Sequence, residues 1–193
     1  MILATQPLTL TDYLVYDDGT DTHYELVAGE LVPMSLGSGL HGEIMHQLET
    51  QLEAEILRLD LPWVARKGII GVQSPQRGQW ETIRIPDITV LPKAQWYDIR
   101  TREAIILLNQ PPPLLVVEVV SPSTKSTDYR AKRTEYALLE IPEYWIVDTL
   151  LEQMTVCQWV EGFYDPVVYQ RGDRIESITF QDWPLSVEQI LTP

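Results

Sequence analysis

The chain has 193 residues, 45% of them hydrophobic, with 6 Trp and 9 Tyr, which is ample for a packed core and excludes a disordered chain. With 28 acidic against 14 basic residues the net charge is −14, the wrong sign for coating nucleic acid non-specifically, so any nucleic-acid role needs a local basic patch or divalent cations. A single cysteine, Cys157, excludes an internal disulfide and a zinc knuckle and reads as a core residue.

No repeat, low-complexity tract or long linker divides the chain, so one domain is expected over 1–193. No apolar stretch reaches the ~20 residues of a membrane span. The start, MILATQPLTL, lacks a basic leader and long apolar run, so the expected location is the cytoplasm, with no membrane partner. Thr9 to about Val15 predicts a short helix with Thr9 or Thr11 as its cap. YELVAGELV at 24–32 predicts a β-hairpin around Ala28-Gly29. From His41 to Leu59 the apolar residues Ile44, Leu48, Leu52, Ile56 and Leu59 recur at helical spacing. Val64–Val72 and Glu81–Leu91 read as extended, and Pro86 implies an edge, a bulge or a bend. LLVVEVV at 114–120 predicts a strand covered on both faces. A helix over Asp128–Leu139, ending before Pro142, leads to a buried strand at Tyr144–Val147. Met154–Val160, Tyr164–Tyr169 and Ile175–Phe180 read as an antiparallel meander broken by Glu-Gly and Arg-Gly turns. The order of strand, helix and strand predicts an α/β or α+β core with a mixed sheet flanked by helices. Tyr144, Trp145 and Trp159 sit in strand-like runs and read as packing residues.

Chemistry enters at Glu118, because a carboxylate inside LLVVEVV is costly to desolvate unless a cation or strong donors compensate it. A structural ion pair and a metal ligand both answer that need. Asp87, in Ile85-Pro86-Asp87-Ile88, puts a second carboxylate on a bent strand that is a plausible neighbour of the Glu118 strand. Two converging carboxylates repel unless a hard cation such as Mg²⁺ or Mn²⁺ holds them together. On the following helix Tyr129, Lys132, Tyr136 and Leu139 share a face, so Lys132 points where a core residue would. It could neutralise Glu118, or orient a water and stabilise charge on a phosphate. Lys125, Arg130 and Arg133 stand close by and form, with Lys132, the local basic cluster that the net charge calls for. His41 lies on the apolar face of its helix, where a hydrogen-bonded core or capping role outweighs ligation; it is kept as a residue supporting the ligands. Ser121-Pro122-Ser123-Thr124 is expected to turn the chain and cap the next helix, with phosphate contact as the alternative.

Together, YELVAGELV, His41 opening the long helix, IPDITVL at 85–91, VVEVVSPST at 116–124, Lys132, Tyr136 and PEYWIVD at 142–148 resemble the Uma2 family. That family is abundant in cyanobacteria and assigned to the PD-(D/E)xK, restriction-endonuclease-like superfamily. The resemblance implies that fold, with Asp87 as the PD aspartate and Glu118 as the second acid. The lysine expected two residues after the second acid is absent, since Val120 stands there, and Lys132 occupies the place of its substitute. Glu140-Ile141 replaces the usual Gly-Val, which alters a turn. Glu25 is either the additional acid of such nucleases or the partner of an arginine in the hairpin, while His41 and Tyr136 support the site. The implied function is Mg²⁺- or Mn²⁺-dependent endonuclease cleavage of DNA. Asp87, Glu118 and the Val119 carbonyl would hold the metal, and Lys132 would orient the nucleophile. DNA would be met through Lys125, Arg130 and Arg133, by a homodimer suited to cutting two strands. Two alternatives stay open: a catalytically inactive nuclease-fold binding module, within a dimer or a mobile-element system, and a metal site whose substrate is not DNA.

Overall fold

The computed structural model describes residues 6–34, 37–75 and 81–193. At the N-terminal end Thr9 caps helix α1 (Leu10–Leu14), its hydroxyl accepting from Asp12 N–H while the Asp12 carboxylate accepts from Thr9 N–H. Strands β1 (Tyr24–Val27) and β2 (Glu30–Pro33) form the expected hairpin. Its two turn residues, Ala28 at φ 53° and Gly29 at φ 78°, take the left-handed backbone of a tight hairpin turn. Helix α2 (Gly39–Arg58) starts two residues before His41 because Ser38 caps it, accepting from His41 N–H. Its buried face is Ile44, Leu48, Leu52 and Ile56, as the spacing predicts.

Both runs expected as single strands are broken, and each contributes to two sheets. Residues 64–72 divide into β3 (Trp63–Lys67) and β4 (Gly71–Ser74), and residues 81–91 into β5 (Thr82–Arg84) and β6 (Ile88–Pro92). β3 pairs β6 and β4 pairs β5, both antiparallel, so the two runs form one long ribbon. Between the pairs Val72↔Arg84 and Lys67↔Ile88 the first strand advances one residue more than the second. That extra residue is a bulge, and Gly68 at φ 63° supplies the left-handed backbone it needs. Opposite the bulge stands Pro86, which has no N–H to give a ladder. The ribbon therefore bends there, and Asp87 sits at the bend.

The larger sheet runs β11-β10-β9-β8-β6-β3 and the smaller β2-β1-β5-β4-β7, where β7 is Ile105–Ile106, β8 Leu115–Val119, β9 Glu143–Asp148, β10 Gln153–Val160 and β11 Phe163–Gln170. Both are mixed: β8 lies parallel to β9, and β4 parallel to β7, with the other pairs antiparallel. β8 is buried throughout. Its Leu115, Val117 and Val119 pack with the α2 face, while Val116 and Val120 pack with Tyr136 and Tyr144 on the other side. Glu118 shares that second side, by the two-residue period of a strand.

The second side is covered by the helix over 125–138, which carries a π-helical turn at Thr127–Lys132 and continues as α4 (Arg133–Leu138). It ends at Glu140, at φ 57°, a left-handed position that suits the glycine which Uma2-like sequences carry there. Helix α3 (Lys93–Ile99), not anticipated, follows β6 directly; its apolar Trp96 and Ile99 are too few for a periodic signal. The antiparallel meander is β9-β10-β11. Ile175–Phe180, expected as a further strand, forms no ladder, because its polar groups bond elsewhere: the buried Glu143 carboxylate accepts from Ser177 Oγ at 2.9 Å and Thr179 N–H at 2.8 Å. Ile175 and Phe180 still enter the core on the α2 side, and α5 (Val187–Leu191) closes the chain. Cys157 is buried, and burial pushes its thiol up to about 12, an unreactive group.

Candidate functional site

The bend of the ribbon fixes Asp87 by three bonds. Its carbonyl accepts from Gly68 N–H at 3.0 Å, and its carboxylate Oδ2 accepts from Val119 N–H at 2.7 Å, across the point where β6 stops pairing β8. Oδ1 lies 3.3 Å from His41 Nε2. That hydrogen bond holds the imidazole above its ordinary value, against the opposing effect of burial. His41, in the first turn of α2, thus bears on the aspartate from the opposite element.

Glu118, on β8, is 3% exposed. Its Oε2 accepts from Lys132 Nζ at 2.8 Å and its Oε1 from Tyr136 O–H at 2.8 Å. Burial pushes its carboxyl well up, Lys132 pulls it down, and the carboxylates of Asp87, Asp128 and Glu25 push it up again. For Lys132, burial alone would lower its ordinary value; Glu118, Glu25 and Asp128 overturn that and hold the ammonium charged. Its Nζ is 3.3 Å from Asp128 Oδ1 and 3.8 Å from Glu25 Oε1.

Glu25 links this cluster to a second one. Its Oε2 accepts from Arg84 Nη1 at 3.0 Å and its Oε1 from Ile85 N–H at 3.0 Å. Arg84 also grips Glu135 with both ends of its fork, at 2.7 and 2.9 Å. Five carboxylates (Glu25, Asp87, Glu118, Asp128 and Glu135) therefore gather around two permanent cations, Lys132 and Arg84.

Asp87, Glu118, Val119, Lys132, Glu25, His41 and Arg84 line one cavity of about 290 Å³. The hydroxyl-bearing Ser121, Ser123, Thr124 and Thr127 also line it, as do Val32 and Pro33 of the hairpin. A larger opening of about 350 Å³ lies beyond Ile85, lined by Tyr13, Tyr16, Tyr24 and Asp18. It holds none of the buried, converging ionisable groups that mark a reactive site, so the smaller cavity is the candidate. Tyr136 stands behind it, reaching it through Glu118. Lys125, Arg130 and Arg133 do not line it. Lys125 pairs with the buried Asp148 at 3.1 Å, Arg130 is exposed, and Arg133 borders a groove with Phe163 and Tyr164.

Asp128, Arg84 and Glu135 escaped the sequence reading. Asp128 stands four residues before Lys132, a spacing that was available as a signal. Asp128 is buried with Lys132 in the π-helical turn Thr127–Lys132. Arg84 and Glu135 lie 51 residues apart and no local pattern joins them. The carboxylate oxygens of Asp87 and Glu118 are donors of the kind that a hard divalent cation such as Mg²⁺ takes. Among the described residues no three His, Cys, Asp or Glu side chains are grouped so as to hold a metal ion. Nor is any described helix long and apolar enough to cross a membrane.

No curated protein matches the chain. The fold is shared with a solved structure from Anabaena variabilis ATCC 29413, titled a "putative nuclease belonging to DUF820". It has 16% identity and a TM-score of 0.75, over 96% of this chain and 98% of that one. Residues 10–188 match the Uma2 family, described as "Putative restriction endonuclease", and the chain belongs to that family.

Proposed function

We propose that the chain is a divalent-metal-dependent endonuclease that hydrolyses phosphodiester bonds of DNA in the Asp87–Glu118 cavity. One observation carries this reading: carboxylates from two adjacent strands open onto one cavity beside a buried lysine, with acids outnumbering permanent cations. The family's description and the nuclease named as the fold neighbour agree with it. Asp87, Glu118 and the Val119 carbonyl would hold Mg²⁺ or Mn²⁺, which when bound activates a water and polarises the phosphate. Each carboxylate oxygen keeps a lone pair beyond those already engaged, so Tyr136 and Val119 N–H can stay in place when a cation enters. Tyr136 and Val119 N–H set the orientation of the two acids, and Lys132 brings a fixed positive charge to the developing negative charge of the phosphate. The hydroxyls of Ser121, Ser123 and Thr127 suit phosphate oxygens at the mouth. Lys125, Arg130 and Arg133 would meet flanking phosphates outside the cavity, and a homodimer would present two such sites.

The second reading, a binding module without catalysis, draws on the engagement of both Glu118 oxygens by Lys132 and Tyr136. Linear, nicked, branched and single-stranded DNA incubated with Mn²⁺ and with EDTA separates the two. Cleavage that requires Mn²⁺ and disappears in Asp87→Ala is the expected result. DNA binding with no cleavage of any substrate would establish the second reading instead.

A further inference from the structure

Lys132 occupies the carboxylate that a metal ion would need. Its ammonium is 2.8 Å from Glu118 Oε2, and a second cation brought to the same carboxylate meets strong repulsion in a poorly solvated site. Lys132 is too deeply buried to escape to water. It requires another anionic seat within the pocket. Glu25 is poorly suited, since both of its oxygens are engaged by Arg84 and Ile85 N–H.

Asp128 is suited. Its side chain is 1% exposed, and its Oδ1 makes no hydrogen bond although Lys132 Nζ stands 3.3 Å away, within ion-pair reach but off the line of a bond. The backbone beneath it is pinned: Asp128 N–H donates to the Thr124 carbonyl at 2.9 Å and Tyr144 O–H to the Asp128 carbonyl at 3.0 Å. Asp128 and Lys132 lie within the same π-helical turn, four residues apart, and such turns recur at functional sites.

We propose that Asp128 is the second seat of the Lys132 ammonium: when a divalent cation takes Glu118, Lys132 turns from Glu118 Oε2 onto Asp128 Oδ1 and stays in the pocket. Asp128 is thus a positioning residue that acts on metal affinity through Lys132. The inference rests on the metal-dependent reading above.

Mn²⁺ affinity of the DNA-free protein, measured from the free-ion paramagnetic resonance signal, tests it. Asp128→Asn should weaken Mn²⁺ binding roughly 10- to 100-fold, the range for residues behind a metal ligand, and Asp128→Glu should restore most of it. In a Lys132→Met background there is no ammonium to seat, so adding Asp128→Asn should change little. An equal loss in that background would make Asp128 merely a nearby negative charge and overturn the proposal. Wild type that binds Mn²⁺ alongside an indifferent Asp128→Asn sinks the seat alone; wild type that binds none sinks the metal reading with it. Should Asp128→Asn not fold, Asp128→Ser replaces it. A Mn²⁺-soaked crystal must also show the ammonium nearer Asp128 than Glu118, and the reverse order would refute the exchange.

Discussion

Two ionic clusters lie side by side behind the hairpin, and they are built on opposite principles. Around Arg84 every carboxylate oxygen of Glu25 and Glu135 accepts a bond, and the guanidinium is spread between two acids in near-ideal fork geometry. Around Lys132 the acids exceed the cation, Asp128 Oδ1 lacks a hydrogen bond, and Asp87 Oδ1 has only a 3.3 Å contact to His41. The first cluster is complete as it stands and ties β1 and β5 to α4. The second is incomplete and opens onto a cavity. A buried ion pair alone thus says little about function; unmet charge facing open space is what separates a site from a brace.

The largest effect should fall on the brace. Arg84→Met leaves Glu25 and Glu135 buried without a partner, and chemical denaturation should show a loss of about 3–5 kcal/mol, the usual consequence of breaking a buried pair from one side. A loss near zero would erase the distinction between the clusters. Next comes the open cluster's response to metal. Mn²⁺ at about 100 times its dissociation constant should stabilise the wild type by about 2.7 kcal/mol, seen as a raised Tm, and should do nothing for Asp87→Asn. Third, and smaller, is Asp87→Asn without metal. The amide oxygen can still accept from Val119 N–H, and one negative charge leaves an over-acidic cluster, so stability should change by less than about 1 kcal/mol. A large loss there would mean that Asp87 braces the fold after all.

The open cluster was the more legible of the two. Glu118 announces itself as a charge inside an apolar run, Pro86-Asp87 as a bend, and Lys132 and Tyr136 as an i,i+4 pair on one face; each is a local departure from pattern. The complete cluster left no such trace, because Arg84 and Glu135 meet only through tertiary structure. Glu25 accepts from an arginine, though that arginine lies on β5 and not in the hairpin, and it also lines the cavity. The division of the ribbon between two sheets was hidden as well: the composition of 64–72 and 81–91 is continuously strand-like, and only Gly68 and Pro86 mark the break. The basic cluster at Lys125, Arg130 and Arg133 was legible in sequence but not in direction, since helical geometry turns Lys125 to Asp148 and Arg133 to the meander.

The subtlest test of the comparison is pH. A guanidinium stays charged across the physiological range, so Arg84 itself does not titrate there. The open cluster titrates in one direction. His41 is held above its ordinary value of 6.5 by the bond to Asp87, so the folded protein binds that proton more tightly than the unfolded chain. The resulting stabilisation is fully present below the unfolded value and is lost as pH rises through the folded one. Glu118 is pushed well above 4.5 by burial, so it too favours the folded state when protonated and withdraws that support as pH rises. Both signs agree: in EDTA, Tm should fall between about pH 5 and 8, where histidine titrates. Asp87→Asn removes the charge that raises His41, and its decline should be shallower. Saturating Mn²⁺ reverses the dependence, because ligands must be deprotonated to bind, so the metal-induced rise in Tm should grow with pH. A wild-type Tm in EDTA that climbs over the same window, or one that matches Asp87→Asn at every pH, would show that His41 and Asp87 are no more coupled than two neighbours in a finished brace.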